Sequence, residues 1–449
     1  MNRLFGTDGI RGMANEYPIT SEIAVKIGRA VASVFKKNKK KSRILIGKDT
    51  RISGYMLEYA LVSGICSMGV DAYLAGILPT PGIAYLTSKT GAAAGIVISA
   101  SHNPYHDNGI KIFNNDGYKL SDKKEMEIEQ VVLDEKCITG CDSIRDTGIV
   151  YTVNDAEEKY AAFLKGSVPK GCLKGVNIVI DCSNGATFSI APELFADLGA
   201  NVESFFIDPD GKNINKNCGS QHTDTVIKKV KEKGADIGLA FDGDGDRLIA
   251  VDEKGDVITG DQILTVCAKT MKDKGLLKNN LVVSTVMSNM GLGIALKEMG
   301  IKNIIADVGD RYVLEKMIET GAVLGGEDSG HMIFLDRHTT GDGIFTGLRL
   351  IEAMKSESKP LSDLRRIMTV FPQVLINVKV KSKPDLNDVG IQDAVRSVEA
   401  ELGEKGRVLV RYSGTRPLCR IMVEGPTIDE TGRYCRQIAD SVKEKIGID

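Results

Sequence analysis

The stretch Gly95-Ile-Val-Ile-Ser-Ala-Ser-His-Asn-Pro-Tyr-His-Asp-Asn-Gly-Ile-Lys111 joins an apolar, β-branched run to a polar loop. The run Gly95–Ala100 has the composition of a buried strand, and Ser101 opens the loop that follows. Ligands of α/β sheets collect beyond the carboxyl ends of strands, which is where this hydroxyl stands. Pro104 stiffens the loop, and Asn108-Gly109 is expected to turn the chain so that Lys111 returns toward the serine. The stretch therefore predicts an α/β sheet with a hydroxyl placed for chemistry at a strand end.

Similar short apolar runs recur along the chain, with helical periodicity between them, as is typical of βαβ units and mainly parallel sheets. Strands are expected at Arg43–Gly47, Ala72–Leu74, Val176–Asp181, Val202–Ile207, Asp236–Phe241, Arg247–Asp252, Leu281–Thr285, Asn303–Ala306 and Ala322–Gly325. A turn-rich break near 140–153 precedes a restart of the pattern. The repetition predicts three similar α/β units in tandem.

The chain changes character around residue 370. Val374–Val380 alternates with period two, as a half-exposed strand does. Strands at Val408–Arg411 and Arg420–Glu424, with a closing helix from about 428, complete a small α+β unit with an antiparallel sheet.

The predicted fold class is therefore α/β. Three tandem α/β domains with mixed, mainly parallel sheets precede a smaller C-terminal α+β domain. The expected domains are 1–153, which contains the serine loop, 154–253, 254–368 and 369–449.

Composition narrows the class of partner. The 58 basic and 60 acidic side chains nearly cancel, which excludes the basic footprint of a nucleic-acid binder. The basic run Lys36–Arg43 is expected to be a solvated helix end and turn. Cys137 and Cys141 lack a second pair at metal-ligand spacing, so free thiols in a reducing compartment are predicted. Neither a signal-peptide core nor a membrane-length apolar run is found, so the protein is predicted to be cytoplasmic without membrane partners.

A second motif, Asp242-Gly-Asp-Gly-Asp-Arg247, places three carboxylates at alternate positions. Carboxylate oxygens suit Mg²⁺ or Ca²⁺, and three acids this close repel one another without a cation. The calcium-binding helix–loop–helix pattern competes, since Glu253 stands at its twelfth position. However, that pattern needs glycine where Arg247 stands, and strands are expected to flank the loop. Magnesium usually keeps phosphate oxygens or waters in its shell, which indicates a phosphorylated partner.

Ser101 has two alternative interpretations. In the first, its hydroxyl has no chemical role and merely caps a turn, as serine side chains often do. His102 suggests a serine hydrolase, but the Gly-x-Ser-x-Gly elbow of that class is missing.

Two further glycine-containing loops carry polar groups. In Gly325-Gly-Glu-Asp-Ser-Gly-His331, the side chains of Glu327, Ser329 and His331 offer acceptors and donors suited to sugar hydroxyls. A plain turn is the alternative. Arg11, in the glycine-punctuated stretch Gly6–Gly12, is predicted to lie in an anion-facing turn.

The loop Arg411-Tyr-Ser-Gly-Thr-Arg-Pro-Leu-Cys-Arg420 could cradle a phosphate. Backbone N–H groups and hydroxyls of Ser413, Gly414 and Thr415 would face the anion, with arginines on both sides for bidentate pairing. A surface turn is again the alternative.

Taken in their order along the chain, these five motifs (6–12, 95–111, 242–247, 325–331 and 411–420) resemble those of the α-D-phosphohexomutase superfamily. The resemblance runs from residue 4 to about 425. Within it the chain is similar to the bacterial members that act on glucosamine phosphate. The supporting stretches are Gly47–Gly54, Asp181–Ala186, Cys218–Ser220, Val308–Tyr312 and Thr340–Ile344.

The resemblance implies four domains around a central cleft, the last of them mobile. It implies interconversion of glucosamine 6-phosphate and glucosamine 1-phosphate through phosphorylated Ser101, with a sugar bisphosphate as intermediate and activator. One Mg²⁺ per chain would be held by Asp242, Asp244, Asp246 and the phosphoryl group on Ser101. A homodimer is also implied.

The same resemblance assigns roles to further residues. Catalytic roles are implied for Lys111, His331, Arg11 and His102. Substrate-binding roles are implied for Glu327, Ser329, Arg411, Ser413, Gly414, Thr415, Arg420 and Arg247.

The chain departs from the pattern of its nearest group at one position, where Arg416 replaces the glutamate of Ser-Gly-Thr-Glu-Pro. This substitution leaves substrate preference open between glucosamine phosphate and the substrates of a phosphomannomutase or phosphoglucomutase. A non-catalytic sugar-phosphate-binding protein is a third alternative. Retention of Ser101, Lys111 and the three aspartates argues against it, because a binder needs no transfer chemistry.

Overall fold

The computed structural model describes residues 4–6, 8–36, 42–134, 146–387, 390–413 and 417–448. The pair Cys137 and Cys141 and most of the basic run Lys36–Arg43 therefore lie outside the described residues. The chain divides into two compact units. The first comprises residues 1–287 and 301–366, and the second comprises 288–300 and 367–449.

The first sheet of the first unit has six strands, in the spatial order β1-β5-β4-β2-β3-β6. They are β1 (Ile10–Met13), β2 (Arg43–Lys48), β3 (Asp71–Ile77), β4 (Ala94–Ile98), β5 (Asp107–Asn114) and β6 (Val150–Thr152). The helices of this region are α1 (Ser21–Phe35), α2 (Ser53–Ser67), α3 (Thr80–Thr90), α4 (Asp122–Leu133) and α5 (Ala156–Lys165).

The second sheet has the order β11-β10-β9-β7-β8. Its strands are β7 (Asn177–Asp181), β8 (Asn201–Phe205), β9 (Ile237–Phe241), β10 (Leu248–Asp252) and β11 (Val257–Ile258), with helices α6 (Ile190–Asp197) and α7 (Asp224–Lys233). The third sheet has the order β13-β12-β14-β15. Its region contains α8 (Gly260–Asp273), β12 (Leu281–Thr285), α9 (Met290–Glu298, in the second unit), β13 (Lys302–Ala306), α10 (Asp310–Thr320), β14 (Leu324–Gly326), β15 (Met332–Phe334), α11 (Gly343–Glu357) and α12 (Leu361–Leu364).

The three sheets share one topology. In each, four strands lie in the spatial order fourth, third, first, second: β5-β4-β2-β3, β10-β9-β7-β8 and β15-β14-β12-β13. The fourth strand is antiparallel to the third, and the other pairs are parallel. The turn from third to fourth strand spans 99–106, 242–247 or 327–331. The predicted repetition of three α/β units is confirmed, and all three turns carry a motif singled out in the sequence.

Close helix packing supports the first sheet on one face. α1 begins at its N-cap Thr20 and buries a stripe that includes Ile27 and Val31. A Cβ on Gly28 would lie 2.4 Å from the Leu61 carbonyl oxygen of α2, so only glycine allows this approach.

Two local expectations were wrong, and one short strand was missed. Asn108-Gly109 forms no turn but belongs to β5, and the chain reverses earlier, within residues 101–106. Arg11 lies on strand β1, paired with Gly109, and not in a turn. The turn-rich break near 140–153 also contains β6, which was not predicted and pairs with β3 in parallel. Each error has the same cause: strands of three to eight residues gain hydrogen bonds from the sheet that local sequence does not reveal.

The second unit contains a three-stranded antiparallel sheet with β16 (Gln373–Lys379), β17 (Arg407–Tyr412) and β18 (Leu418–Glu424), in the order β16-β18-β17. Helices α13 (Gln392–Leu402) and α14 (Ile428–Ile446) accompany it. Its core includes Ile421, Ile438 and Val442. The predicted fold class, α/β with a small antiparallel C-terminal domain, is confirmed. Among the described helices, none has the length and apolarity that a membrane crossing requires.

A buried histidine in the third-sheet region gives the fold a pH dependence. His338 Nε2 lies 3.0 Å from the Pro81 carbonyl oxygen, and Nδ1 accepts from the Thr339 backbone N–H at 2.8 Å. Burial lowers its pKa to about 4, against about 6.5 in the unfolded chain. Because the unfolded state takes up the proton first, this stability is present above pH 6.5 and is lost as pH falls toward 4.

We expect His338→Gln to be less sensitive to acid than the parent. Between pH 7.5 and pH 5 the parent should lose about 2 kcal/mol of unfolding free energy at this site, and the variant should not. Urea denaturation followed by circular dichroism at both pH values measures the difference. His222→Gln, at an exposed position, is the matched control and should retain the parent's acid sensitivity.

Candidate active site

Ser101 lies at the carboxyl end of β4, with none of its surface exposed. Its backbone has a φ of +53°, a left-handed conformation that costs energy for a residue with a side chain. Its hydroxyl donates to Asp242 Oδ2 at 2.6 Å and lies 3.3 Å from His102 Nδ1. The backbone N–H donates to Ser99 Oγ at 2.9 Å. The strained turn thus directs the hydroxyl at the metal loop.

Arg51 holds the serine loop in this conformation. Its guanidinium has five N–H donors, and all five are used. Nε donates to Asp49 Oδ2 at 2.8 Å, and the terminal nitrogens donate to four carbonyl oxygens of the loop, those of Ser101, Asn103, Pro104 and Asp107. The arginine is completely buried, so these bonds are not shared with solvent.

The metal loop brings three buried carboxylates together. Ligand oxygens of Asp242, Asp244 and Asp246 lie within 4.8 Å of one another. Oδ1 of Asp244 and Oδ1 of Asp246 are buried and accept no hydrogen bond from any described residue. Buried polar atoms are almost always paired, and hard oxygen donors are what Mg²⁺ prefers. The donor set therefore fits a magnesium ion.

Glycine at position 243 is required for this convergence. A Cβ there would lie 2.5 Å from the Ser101 carbonyl oxygen, so a side chain would push the metal loop and the serine loop apart. Gly245 has a φ of +72°, the left-handed region that glycine occupies without cost.

The loop's carboxylates differ in proton affinity. Burial raises the pKa of Asp242 well above its ordinary value, and the charges of Asp246 and Asp244 add to that rise. Burial also acts to raise the pKa of Asp246, but Lys111, His331 and Arg247 outweigh it and bring the value to about 2. Without a cation, the loop retains a charge conflict centred on Asp242.

Lys111 lies on β5 opposite Val97 and returns to the serine loop as predicted, although by a strand and not by the expected turn. Its Nζ lies 2.8 Å from Asp244 Oδ2, 3.1 Å from Asp246 Oδ2 and 3.2 Å from Asp8 Oδ2. Burial acts to lower its pKa, but these carboxylates raise it well above the ordinary value. Lys111 is therefore a fixed positive charge.

A second ionic network adjoins the first. Asp8 forms ion pairs with Arg11 and Lys119, and Lys119 also pairs with Asp310. His331 Nε2 lies 3.4 Å from Asp310 Oδ2 and 4.0 Å from Asp246 Oδ2. Segments before β1, after β5 and at the start of α10 thus meet beside the metal loop.

Arg247 and His102 complete the charge distribution around the loop. The backbone N–H of Arg247 donates to Asp242 Oδ1 at 3.1 Å, and its Nε lies 3.7 Å from Asp246 Oδ1. Burial acts to lower the pKa of Arg247, but Asp246 and Asp242 raise it, so its charge is secure. Burial lowers the pKa of His102 to about 4, with Arg247 and Arg11 adding to the effect, so this imidazole is neutral near pH 7.

The loop 325–331, predicted to bind sugar hydroxyls and called the sugar-recognition loop below, joins the metal loop through a β-bridge between Arg247 and His331. Glu327 Oε1 accepts from the Gly309 backbone N–H at 3.0 Å. Burial raises the pKa of Glu327, and the charge of Asp310 adds to the rise. Ser329 lies half-buried in the same turn. The structure therefore brings this loop, the metal loop and Ser101 together in the first unit.

The predicted phosphate loop belongs to the second unit. Arg411 on β17 and Arg420 on β18 stand directly opposite each other. Like charges in such a pair repel, which an anion between them would relieve. The Ser413 backbone N–H donates to the Leu418 carbonyl oxygen at 2.8 Å. Gly414, Thr415 and Arg416 lie outside the described residues.

Among the described residues that contact this site, several were missed as site residues. Asp8, Arg51 and Asp310 stand inside stretches quoted for the family resemblance, so a signal was present but no role was attached to it. Thr80, whose hydroxyl donates to Asp244 Oδ2 at 2.6 Å, and Lys119 stand in no motif. Only the folded chain reveals these two.

Family models match the chain in four consecutive segments, all described as phosphoglucomutase/phosphomannomutase. Alpha/beta/alpha domains I, II and III match residues 2–137, 158–255 and 259–371, and the C-terminal domain matches 375–441. The chain belongs to this family. It is a phosphosugar mutase, an isomerase, as the sequence motifs predicted.

Relatives within the family match over full length. Proteins named phosphoglucosamine mutase from Syntrophus aciditrophicus and Syntrophobacter fumaroxidans are 60% and 58% identical, each over 100% of both chains. Among solved structures, a phosphoglucomutase/phosphomannomutase family protein from Burkholderia thailandensis has a TM-score of 0.83 at 25% identity, covering 99% of each chain. An Aspergillus fumigatus N-acetylphosphoglucosamine mutase, solved with GlcNAc-6P and magnesium, has a TM-score of 0.69 at 16% identity, covering 98% and 96%. The fold of the whole chain is thus that of the phosphohexomutases.

Proposed function

We propose that this chain interconverts glucosamine 6-phosphate and glucosamine 1-phosphate through phosphorylated Ser101 and a bound sugar bisphosphate. The observation that carries the proposal is the buried Ser101 hydroxyl, 2.6 Å from Asp242 within a triad of aspartates. Full-length relatives named phosphoglucosamine mutase support the substrate.

In this proposal Asp242, Asp244 and Asp246, with a phosphoryl oxygen on Ser101, hold one Mg²⁺ per chain, which neutralises charge on the transferring group. Lys111, Arg11 and Arg247 supply fixed positive charge around the same group. Phosphoryl transfer needs positioning and charge neutralisation more than covalent assistance, so this distribution suits the reaction.

The two transfers balance. In the first, the bond between phosphorus and Ser101 Oγ breaks as a free sugar hydroxyl bonds to phosphorus; the proton of the sugar hydroxyl passes to a base, and Ser101 Oγ takes up a proton. In the second, Ser101 Oγ gives up its proton and bonds to the other phosphate of the bisphosphate; the bond from that phosphorus to the sugar oxygen breaks, the sugar oxygen takes up a proton, and no phosphate is consumed. His331 is the best candidate for the base that accepts the proton of the sugar hydroxyl, because its ring nitrogens are buried without a hydrogen-bond partner in the described part of the chain. Lys111 is held by three carboxylates and serves as a charge.

Further residues have binding roles in this proposal. Glu327 and Ser329 bind sugar hydroxyls. The non-transferring phosphate is bound by Arg411, Ser413, Gly414, Thr415 and Arg420. Ser101 itself is completely buried, and exclusion of bulk water from its phosphoryl group would limit hydrolysis of the phosphoserine.

The remaining expectations stay proposals. We retain the domain boundaries 1–153, 154–253, 254–368 and 369–449, a homodimer, and the absence of nucleic-acid and membrane partners. A cytoplasmic location is favoured by the free thiols of the described cysteines.

Turnover of glucosamine 6-phosphate, with Mg²⁺ and a sugar bisphosphate activator, tests the function against parallel reactions on glucose 6-phosphate and mannose 6-phosphate. We expect kcat/KM to be highest for glucosamine 6-phosphate. Preference for a neutral hexose phosphate would contradict the proposed substrate while leaving the reaction class intact. In that case the sugar-recognition loop and Arg416 would be the places to examine.

A further inference from the structure

Two acidic residues, Glu327 and Asp310, lie near enough for the charge of one to act on the other where the third sheet meets the metal loop. The Gly309 backbone N–H donates to Glu327 Oε1 at 3.0 Å, and the next residue, Asp310, begins α10. The hydrogen bond thus brings the start of α10 against the sugar-recognition loop. Asp310 Oδ2 lies 3.4 Å from His331 Nε2, so both acids border the residues proposed to bind and transform the sugar.

Outside the metal loop, these two acids have fewer cationic partners than Asp8. The metal loop faces Lys111 and is suited to a cation. Asp8 has three cationic partners, Arg11, Lys111 and Lys119. Asp310, in contrast, has one lysine, which it shares with Asp8, and His331 Nε2 at 3.4 Å.

Glu327 has still less compensation. It forms no ion pair with any lysine, arginine or histidine of the described chain, and His331 and Arg247 act on it only at longer range. Burial raises its pKa, and the Asp310 charge raises it further. A cation placed against both carboxylates would relieve this repulsion.

A glucosamine phosphate carries such a cation. Its phosphate is drawn to the arginines and the metal, whereas its C2 ammonium needs a negatively charged partner. Resting on the proposed function, we propose that Asp310, together with Glu327, forms the subsite that binds the C2 ammonium group of the substrate. Asp310 is thereby a specificity-determining residue, since glucose and mannose phosphates have a neutral hydroxyl at C2. Charge-assisted hydrogen bonds are roughly twice as strong as neutral ones, so the arrangement favours the amino sugar.

The test is a ratio of affinities. In the presence of Mg²⁺, the Ser101→Ala protein is titrated calorimetrically with glucosamine 6-phosphate and, separately, with glucose 6-phosphate. Because this variant does not turn over, each titration gives the Kd of its sugar. We expect the amino sugar to bind more tightly, and Asp310→Asn in the same background to reduce the ratio about tenfold. The two ligands differ only at C2, so a general loss of affinity or of folded protein cancels in the ratio.

Lys119→Met is the matched variant. It breaks the same Lys119–Asp310 ion pair but leaves the Asp310 carboxylate in place, so we expect the ratio to be retained or to rise. If the Lys119–Asp310 ion pair has only a structural role, Asp310→Asn and Lys119→Met should show the same ratio of sugar affinities. That result would overturn the subsite. An unchanged ratio in Asp310→Asn would overturn it as well. A Ser101→Ala parent that binds both sugars equally would overturn the subsite and the proposed substrate together, so the two failures are distinguishable.

Discussion

Replacing Ser101 with alanine is expected to abolish mutase turnover, with a loss of at least ~1000-fold in kcat, while the fold is retained. The hydroxyl is the proposed phosphoryl carrier, and its removal leaves no group to form the covalent intermediate. The loss in stability should be small, because the backbone of this turn is held by Arg51 and Ser99 and not by the Ser101 hydroxyl.

Two measurements separate a chemical effect from misfolding. Steady-state turnover gives the activity, and intact mass after incubation with a sugar bisphosphate shows whether the protein gains one phosphoryl group. The parent should gain it and Ser101→Ala should not. Ser121→Ala, an exposed serine of the same domain, is the control and should behave as the parent. Substantial activity or phosphorylation in Ser101→Ala would end the phosphoserine mechanism.

The second large effect is expected on the thermal stability of Asp242→Asn. Whether this variant is more or less stable than the parent should depend on whether Mg²⁺ is present. Burial and the charges of Asp246 and Asp244 raise the pKa of Asp242, so its ionised form destabilises the metal-free fold above the unfolded pKa of about 3.9. Asparagine removes this charge. After chelation at neutral pH the variant should therefore melt at a higher temperature than the parent.

Magnesium should reverse that order. A ligand at 100 times its Kd stabilises the parent by about 2.7 kcal/mol, whereas the variant has lost one carboxylate of its site and should respond little. Its turnover should fall by at least ~100-fold. Thermal unfolding with EDTA and with Mg²⁺ measures this reversal of the two melting temperatures. Asp197→Asn changes an exposed acid paired with Lys165 and is the control with the same change in charge. A variant with the parent's magnesium response would remove Asp242 from the metal site.

Much of this fold could be predicted from periodicity. The strands that were predicted are apolar, β-branched runs such as Leu281–Thr285, whose burial on both faces leaves a continuous signal in the sequence. Strand β1 has Arg11 at its second position, and β5 contains Asn108 and Gly109, so neither resembles a buried strand. Their pairing with each other and with β4 overrides local preference.

The candidate site was predictable to the extent that its chemistry is concentrated in motifs. Three aspartates in five residues indicate a cation site, and a serine at a strand end indicates a reactive hydroxyl. Asp310 and Lys119 are single charged residues in ordinary surroundings, and their meaning arises from contacts between segments nearly two hundred positions apart. Pairings over that distance are decided by the topology, which no local pattern encodes.

The five-donor guanidinium of Arg51 has a consequence for the speed of the reaction cycle. A loop that must find its reactive shape after each substrate arrives adds a conformational search to every turnover. Here the shape of the serine loop is already fixed by bonds from one side chain to four carbonyl oxygens, so the ordering entropy is lost once, when the chain folds. The nucleophile is therefore presented ready-made, and any slow motion that gates the cycle must lie elsewhere in the molecule.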